Sequence, residues 1–185
     1  DIAGVDLVAM DISRPLEEQG AAIVEVNAGP GLIMHLKPGV GEPQPVGAAI
    51  VDHLFPNNAD GRIPVVGITG SRGKTMVAQL TTHLMQLTGM KVGLACSKGA
   101  FFNHRLQTQG NCANWISANR ILLNRQVEAA VFENDSRTIL NEGLAYDRCT
   151  VGVVTNLDPL DTVPECSITE PEQIYNVLRT QVDVV

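Results

Sequence analysis

The chain has 185 residues, 44% hydrophobic and 18% charged, an ordinary core-forming composition for one domain or a little more. Its formal net charge of −7 argues against a nucleic-acid backbone or an anionic membrane as a main partner, so neither is expected. Aromatic residues make up only 4%, too few for a base-stacking platform, and no apolar run approaches a membrane span.

Residues 4–12 (GVDLVAMDI) and 21–27 (AAIVEVN) are predicted strands. The polar residues 13–20, ending in Gly, join them as a hairpin with more than the tightest turn. Ala28-Gly29-Pro30-Gly31 ends the second strand. Residues 46–54 form a predicted short helix, and 56–61 a linker by composition.

A different pattern begins at Ile63. Residues 64–69 (PVVGIT) are a short apolar strand, followed by the loop Gly70-Ser71-Arg72-Gly73-Lys74-Thr75. Residues 74–88 carry Val77, Leu80, Leu84 and Leu87 at a spacing that fits one helix face, and Gly89 is a stop. Residues 91–96 are the next strand, which makes 63–96 a strand–loop–helix–strand unit. A small β excursion at 101–109, a helix at 116–124, strands at 129–133 and 151–156, and a helix at 172–179 complete the pattern. Such alternation predicts an α/β fold with a parallel, doubly wound sheet that binds ligands beyond the carboxyl ends of its strands.

The four cysteines, at 96, 112, 149 and 166, have neither metal-site nor disulfide-framework spacing and predict free, mostly buried thiols in a cytoplasmic protein. Asp1–Asp6 opens without an initiator Met or a basic leader, and 182–185 reads as the entry to a strand. A piece of a longer enzyme is the expectation.

Three constellations carry chemistry. In the loop, Gly70 and Gly73 permit a tight turn whose amides face a phosphate. Lys74 reaches the β- and γ-phosphates of ATP, the Thr75 hydroxyl ligates Mg²⁺, and the helix start adds its dipole. The spacing is the shorter GxxGKT, because Ile68 stands where the longer loop needs Gly. Second, polar residues end two strands. Glu133 is placed to hold Mg²⁺, with Asp135 as a second candidate and an exposed strand-end acid as the plain alternative. Asn156 or Asp158 is placed to touch nucleotide or a second metal, although both types are also ordinary turn formers. Third, Glu25 and Asn27 share a strand face, and Asp6 lies near them across the hairpin, a hard-oxygen set suited to Mg²⁺. Asp11 has the opposite parity. The alternative is the solvated polar face of a hairpin.

The segment Ile23-Val24-Glu25-Val26-Asn27-Ala28-Gly29-Pro30-Gly31 resembles the C-terminal metal-binding segment of ATP-grasp ligases. Ile68-Thr69-Gly70-Ser71-Arg72-Gly73-Lys74-Thr75 resembles the phosphate loop of Mur ligases. The first shortly before the second, joined by Pro30–Pro38 and Asp52-His53-Leu54-Phe55-Pro56, resembles the domain junction of the cyanophycin synthetase family. The resemblance implies an ATP-grasp end at 1–55, a linker at 56–62 and the start of a Mur ligase-like ATP-binding domain at 63–185.

It also implies an ATP- and Mg²⁺-dependent ligase that adds aspartate, then arginine, to a cyanophycin primer through acyl phosphates. Glu25, Asn27 and Asp6 would hold Mg²⁺ in the first site; Lys74, Thr75 and Glu133 would serve the second. A homo-oligomer is expected. Three departures stand out. Ser71 and Arg72 replace the usual Thr-Asn of the loop, and Asn134-Asp135-Ser136-Arg137 replaces a small, Gly-rich stretch. Asp158-Pro159-Leu160-Asp161 follows Asn156-Leu157 where an Asp-His pair is usual, so a His-ligated second metal is not expected and Asp158 or Asp161 is left to substitute. A catalytically degenerate Mur-like scaffold is the competing reading. A stand-alone Mur or folylpolyglutamate ligase is a third, opposed by the Glu25–Asn27 segment. For His35 the residues suggest only a structural role.

Overall fold

The computed structural model describes residues 2–158, 163–168 and 171–185. The chain divides into two compact units, Asp1–Arg62 and Ile63–Val185.

In the first unit, β1 (Gly4–Val8) and β2 (Ala22–Asn27) form an antiparallel hairpin, followed by α1 (Ile33–Leu36) and α2 (Val46–Leu54). Val5 pairs with Val26 and Asp6 with Glu25. The next pair is Leu7 with Ile23, so Val24 is the extra residue of a bulge. Asp11 lies in the connection, where its carboxylate accepts from the amide and hydroxyl of Ser13. No described residue of this unit is buried. Its apolar side chains, among them Val8, Ile23, Val24 and Val26, are exposed on the strands.

The second unit contains β3 (Val65–Thr69), α3 (Lys74–Leu87), β4 (Val92–Cys96), β5 (Gly99–Phe102), β6 (Arg105–Gln109), α4 (Trp115–Leu122), β7 (Ala129–Glu133), α5 (Ser136–Glu142), β8 (Val151–Val154) and α6 (Pro171–Asp183). The six strands run in the order β6-β5-β4-β7-β3-β8. β4, β7, β3 and β8 are parallel, and β5 and β6 extend the sheet as an antiparallel hairpin. The sheet is therefore mixed at one edge, because Asn103 and His104, both at positive φ, turn the chain straight back after β5.

Strands β3, β4 and β7 are buried along their whole length, as apolar runs covered on both faces are. Alternation sorts their residues into two cores. Val65, Ala95, Ala130 and Phe132 pack on one side with Ala118 and Ile121 of α4 and with Tyr146. Val66, Ile68, Leu94, Ala129 and Val131 pack on the other with Ala78 of α3. The Phe132 and Tyr146 rings stack at 5.7 Å.

Helix α3 turns a different face inward from the leucine-bearing one. Ala78 and Thr82 are buried, with Val77 and Met85 against the core, while Leu80, Leu84 and Leu87 are exposed. Small residues at 78 and 82 let the helix lie close to the sheet, and the leucines fall on the outer side.

Cys96, Cys112 and Cys149 are buried and Cys166 is partly so, all as free thiols. Burial pushes the Cys96 and Cys149 thiols above their ordinary range, which keeps them protonated and unreactive. No described helix is long and apolar enough to cross a membrane.

Candidate nucleotide-binding site

β3 sits between β7 and β8. The loop leaving its carboxyl end is therefore flanked by Glu133, which ends β7, and by residues 155–158, which follow β8. Both flanks bond directly to it.

Gly70 adopts φ +128°, and a Cβ there would collide with the Thr155 hydroxyl and crowd the Asn156 backbone. Only glycine meets both demands. Gly73, at φ +81°, caps α3 in the left-handed region. Beyond it the first amides of the helix have no intrahelical partner, so they face outward as anion donors. The Lys74 ammonium folds back to donate to the Gly70 carbonyl at 2.7 Å.

Thr75 meets Glu133 across the sheet end. Its hydroxyl donates to Oε1 and Oε2 of Glu133 at 3.1 and 3.0 Å. Ser97, the residue after β4, completes a triangle: its amide donates to Glu133 Oε2 at 2.8 Å, and its hydroxyl is 2.8 Å from that of Thr75. Glu133 is only 5% exposed, and among the described residues no ion pair forms to it. A buried carboxylate held only by neutral donors is costly without a cation nearby. The donor set of one carboxylate and two hydroxyls is hard oxygen, which fits Mg²⁺ held jointly with substrate phosphates. No cluster of three or more His, Cys, Asp or Glu gathers among the described residues, so such an ion would depend on the nucleotide for further ligands.

The segment after β8 clamps the loop. Asn156 accepts from the Arg72 amide at 2.9 Å through Oδ1 and donates to the Arg72 carbonyl at 3.2 Å through Nδ2. The Asn156 carbonyl takes the Ser71 amide at 3.1 Å, and the Thr155 hydroxyl donates to the Arg72 carbonyl at 2.7 Å. The Asp158 amide donates to the Ser71 hydroxyl at 2.8 Å, and the Arg72 guanidinium pairs with the Asp158 carboxylate at 2.8 Å. With Arg72 79% exposed, that pair is screened by solvent and worth about 0–1 kcal/mol. The amides of Ser71 and Arg72 are thus engaged by Asn156, which leaves the Gly73–Thr75 end of the loop facing outward. Asp161 lies outside the described residues.

Behind the site, Asn134 donates to the Tyr146 hydroxyl at 2.7 Å and to the Gln181 side-chain carbonyl of α6. Tyr146 donates to the same carbonyl at 2.6 Å. All three are buried. Asp135 caps α5 by accepting from the Arg137 amide at 2.9 Å, so it serves the backbone rather than the crevice.

In the first unit, Asp6 faces Glu25 directly and Gly4 faces Asn27. Cross-strand partners and i, i+2 neighbours share a face, so the three polar side chains lie on one side of the hairpin. Asp6 and Glu25 are exposed. Two carboxylates placed opposite each other repel unless a cation lies between them.

Sequence reasoning found Gly70–Thr75, Glu133 and Asn156, which the fold brings together. It missed Ser97 and the fastening role of Thr155. Ser97 reads as part of a Ser-Lys-Gly turn, and only strand order shows that the end of β4 lies beside that of β7.

Residues 68–160 match the Mur ligase middle domain. The chain belongs to that family. The Mur ligase match covers the loop, Glu133 and the clamp. The cyanophycin synthetase of Trichormus variabilis is 40% identical over 95% of this chain and 20% of its own. That of Synechocystis sp. is 40% identical over 99% of this chain and 21% of its own. That of Geminocystis herdmanii is 43% identical over 85% of this chain and 18% of its own. The chain thus spans about a fifth of the length of these curated relatives. A solved structure of UDP-N-acetylmuramoyl-L-alanyl-D-glutamate--2,6-diaminopimelate ligase aligns with 71% of this chain and 27% of its own, at TM-score 0.49 and 15% identity.

Proposed function

We propose that this chain is part of an ATP-dependent amide-forming ligase of the cyanophycin synthetase kind, carrying the end of an ATP-grasp site at 1–55 and the nucleotide site of a Mur ligase-like domain at 63–185. The observation that carries the reading is the Thr75–Glu133 pair beside Lys74, at the mouth of a Gly-turned loop. In this reading Gly70, Ser71, Arg72 and Gly73 shape the loop around the ATP phosphates, and Asn156 holds it in that shape. Lys74 leaves the Gly70 carbonyl for the terminal phosphates and neutralises charge on the transferring phosphoryl group. Glu133 and Thr75 would hold Mg²⁺, which when bound adds a second positive charge at those phosphates. In the first unit, Asp6, Glu25 and Asn27 would hold Mg²⁺ for aspartate addition. The cytoplasm suits the free thiols.

The test uses the full-length protein with ATP, Mg²⁺, aspartate, arginine and a short cyanophycin primer. Wild type should incorporate both amino acids. Lys74→Ala should stop arginine addition and still permit one aspartate addition. ATP binding without any arginine incorporation by wild type would instead support a non-catalytic scaffold.

A further inference from the structure

Arg72 stands in the phosphate loop with its two halves held differently. Its backbone is fixed on both sides, the amide by Asn156 Oδ1 and the carbonyl by Thr155 Oγ1 and Asn156 Nδ2. Its guanidinium, 79% exposed, is tied among the described residues to the carboxylate of Asp158, which is itself 24% exposed. The base of the side chain therefore cannot drift from the loop, while its charged tip is fastened by a solvent-screened ion pair that is easily exchanged.

We propose that the Arg72–Asp158 pair is a nucleotide-sensing latch, with the Arg72 guanidinium leaving Asp158 to bind the β- and γ-phosphates of ATP. This inference rests on the nucleotide reading of the loop. Three features of the chain support it. Arg72 immediately precedes Gly73-Lys74-Thr75, where the phosphate would sit. A guanidinium presents a planar pair of donors that matches phosphate oxygens, so a polyphosphate out-competes a single carboxylate. Asp158 also donates its amide to the Ser71 hydroxyl at 2.8 Å, so its carboxylate stays beside the loop after release. The latch then acts as a competitor: it keeps Arg72 off weakly charged ligands and yields to a triphosphate.

The test measures equilibrium binding of ATP, ADP and AMP to full-length wild type, Arg72→Ala, Arg72→Lys, Asp158→Asn and the Arg72→Ala/Asp158→Asn double variant, with thermal unfolding to confirm that each is folded. The expected result is about a tenfold loss of ATP affinity in Arg72→Ala, a smaller loss for ADP and none for AMP. Arg72→Lys should recover part of it. Asp158→Asn should bind ATP a few-fold more tightly, and that gain should vanish in the double variant because no guanidinium remains to release.

The latch is overturned if Asp158→Asn tightens ATP binding equally with and without Arg72, which is plain charge repulsion. It is also overturned if Asp158→Asn weakens ATP as Arg72→Ala does, which makes the pair a brace for the loop. Either result leaves the ligase reading intact provided wild type binds and turns over ATP. A wild type that binds no ATP removes both.

Discussion

The hydroxyl of Thr75 donates to both carboxylate oxygens of Glu133, at 3.0 and 3.1 Å, across 58 residues of chain. Thr75 opens a helix and Glu133 closes a strand, so the pair exists only because β7 lies next to β3.

Glu133→Gln should keep the fold, since an amide of the same shape still accepts from Thr75 and Ser97. It should remove the negative charge that would retain Mg²⁺. ATP turnover at saturating substrate should fall by about 10²–10³-fold, as when a group stabilising transferring charge is lost. A Mg²⁺ titration of the turnover rate checks this: the half-saturating concentration should rise along with the loss of rate.

Gly67→Ala should destabilise the second unit by about 1–3 kcal/mol. A Cβ on Gly67 would collide with the Tyr146 hydroxyl and the Gln181 side-chain amide, so the buried network beside β3 must part or the strand must shift. The urea midpoint of the full-length protein, followed with a probe in this unit, reads the effect directly.

Tyr146 gives a prediction in pH. Burial, opposed by hydrogen bonds to Gln181 and Asn134, raises its phenol well above the ordinary value of 10.0. The folded state therefore favours the protonated form. Its stabilising contribution is complete below pH 10 and is lost as pH rises beyond that, because the unfolded phenol ionises while the buried one does not. Between pH 9 and 11 the urea midpoint of wild type should fall. In Tyr146→Phe it should start lower but fall less steeply.

Glu25→Gln separates the two sites. Removing one of two facing carboxylates should relieve about 0.2–1 kcal/mol of repulsion in the hairpin when divalent cation is withheld. In the full-length protein it should abolish aspartate addition while leaving nucleotide binding at the Lys74 loop unchanged. Equal loss at both would mean that Asp6 and Glu25 do not form a site of their own.

Much of this site could be read in the chain because each part has a strong local cause. Gly70 and Gly73 flank a loop that needs positive φ, Lys74 and Thr75 open a helix after an apolar strand, and Glu133 breaks a run of buried apolar residues. What escaped depends on neighbours far away in sequence. Ser97 matters only because β4 and β7 are adjacent. The sequence pattern assigns no element to residues 136–142, and Asp135 stands as a metal candidate, yet Asp135 caps helix α5. The inner face of α3 was hidden for the opposite reason. Its leucines give the louder periodic signal, while the contact with the sheet is made through the quieter Ala78 and Thr82.

Strand order also carries a consequence for synthesis of the chain. The loop at 70–75 emerges from the ribosome about 80 residues ahead of the Thr155, Asn156 and Asp158 groups that fasten it. Until β8 has been made and docked at the edge of β3, the nascent loop has its glycines but not its clamp, and closing so long a separation is slow. Translation therefore makes the nucleotide loop early and finishes it late, so a chain halted before β8 carries the motif without the clamp.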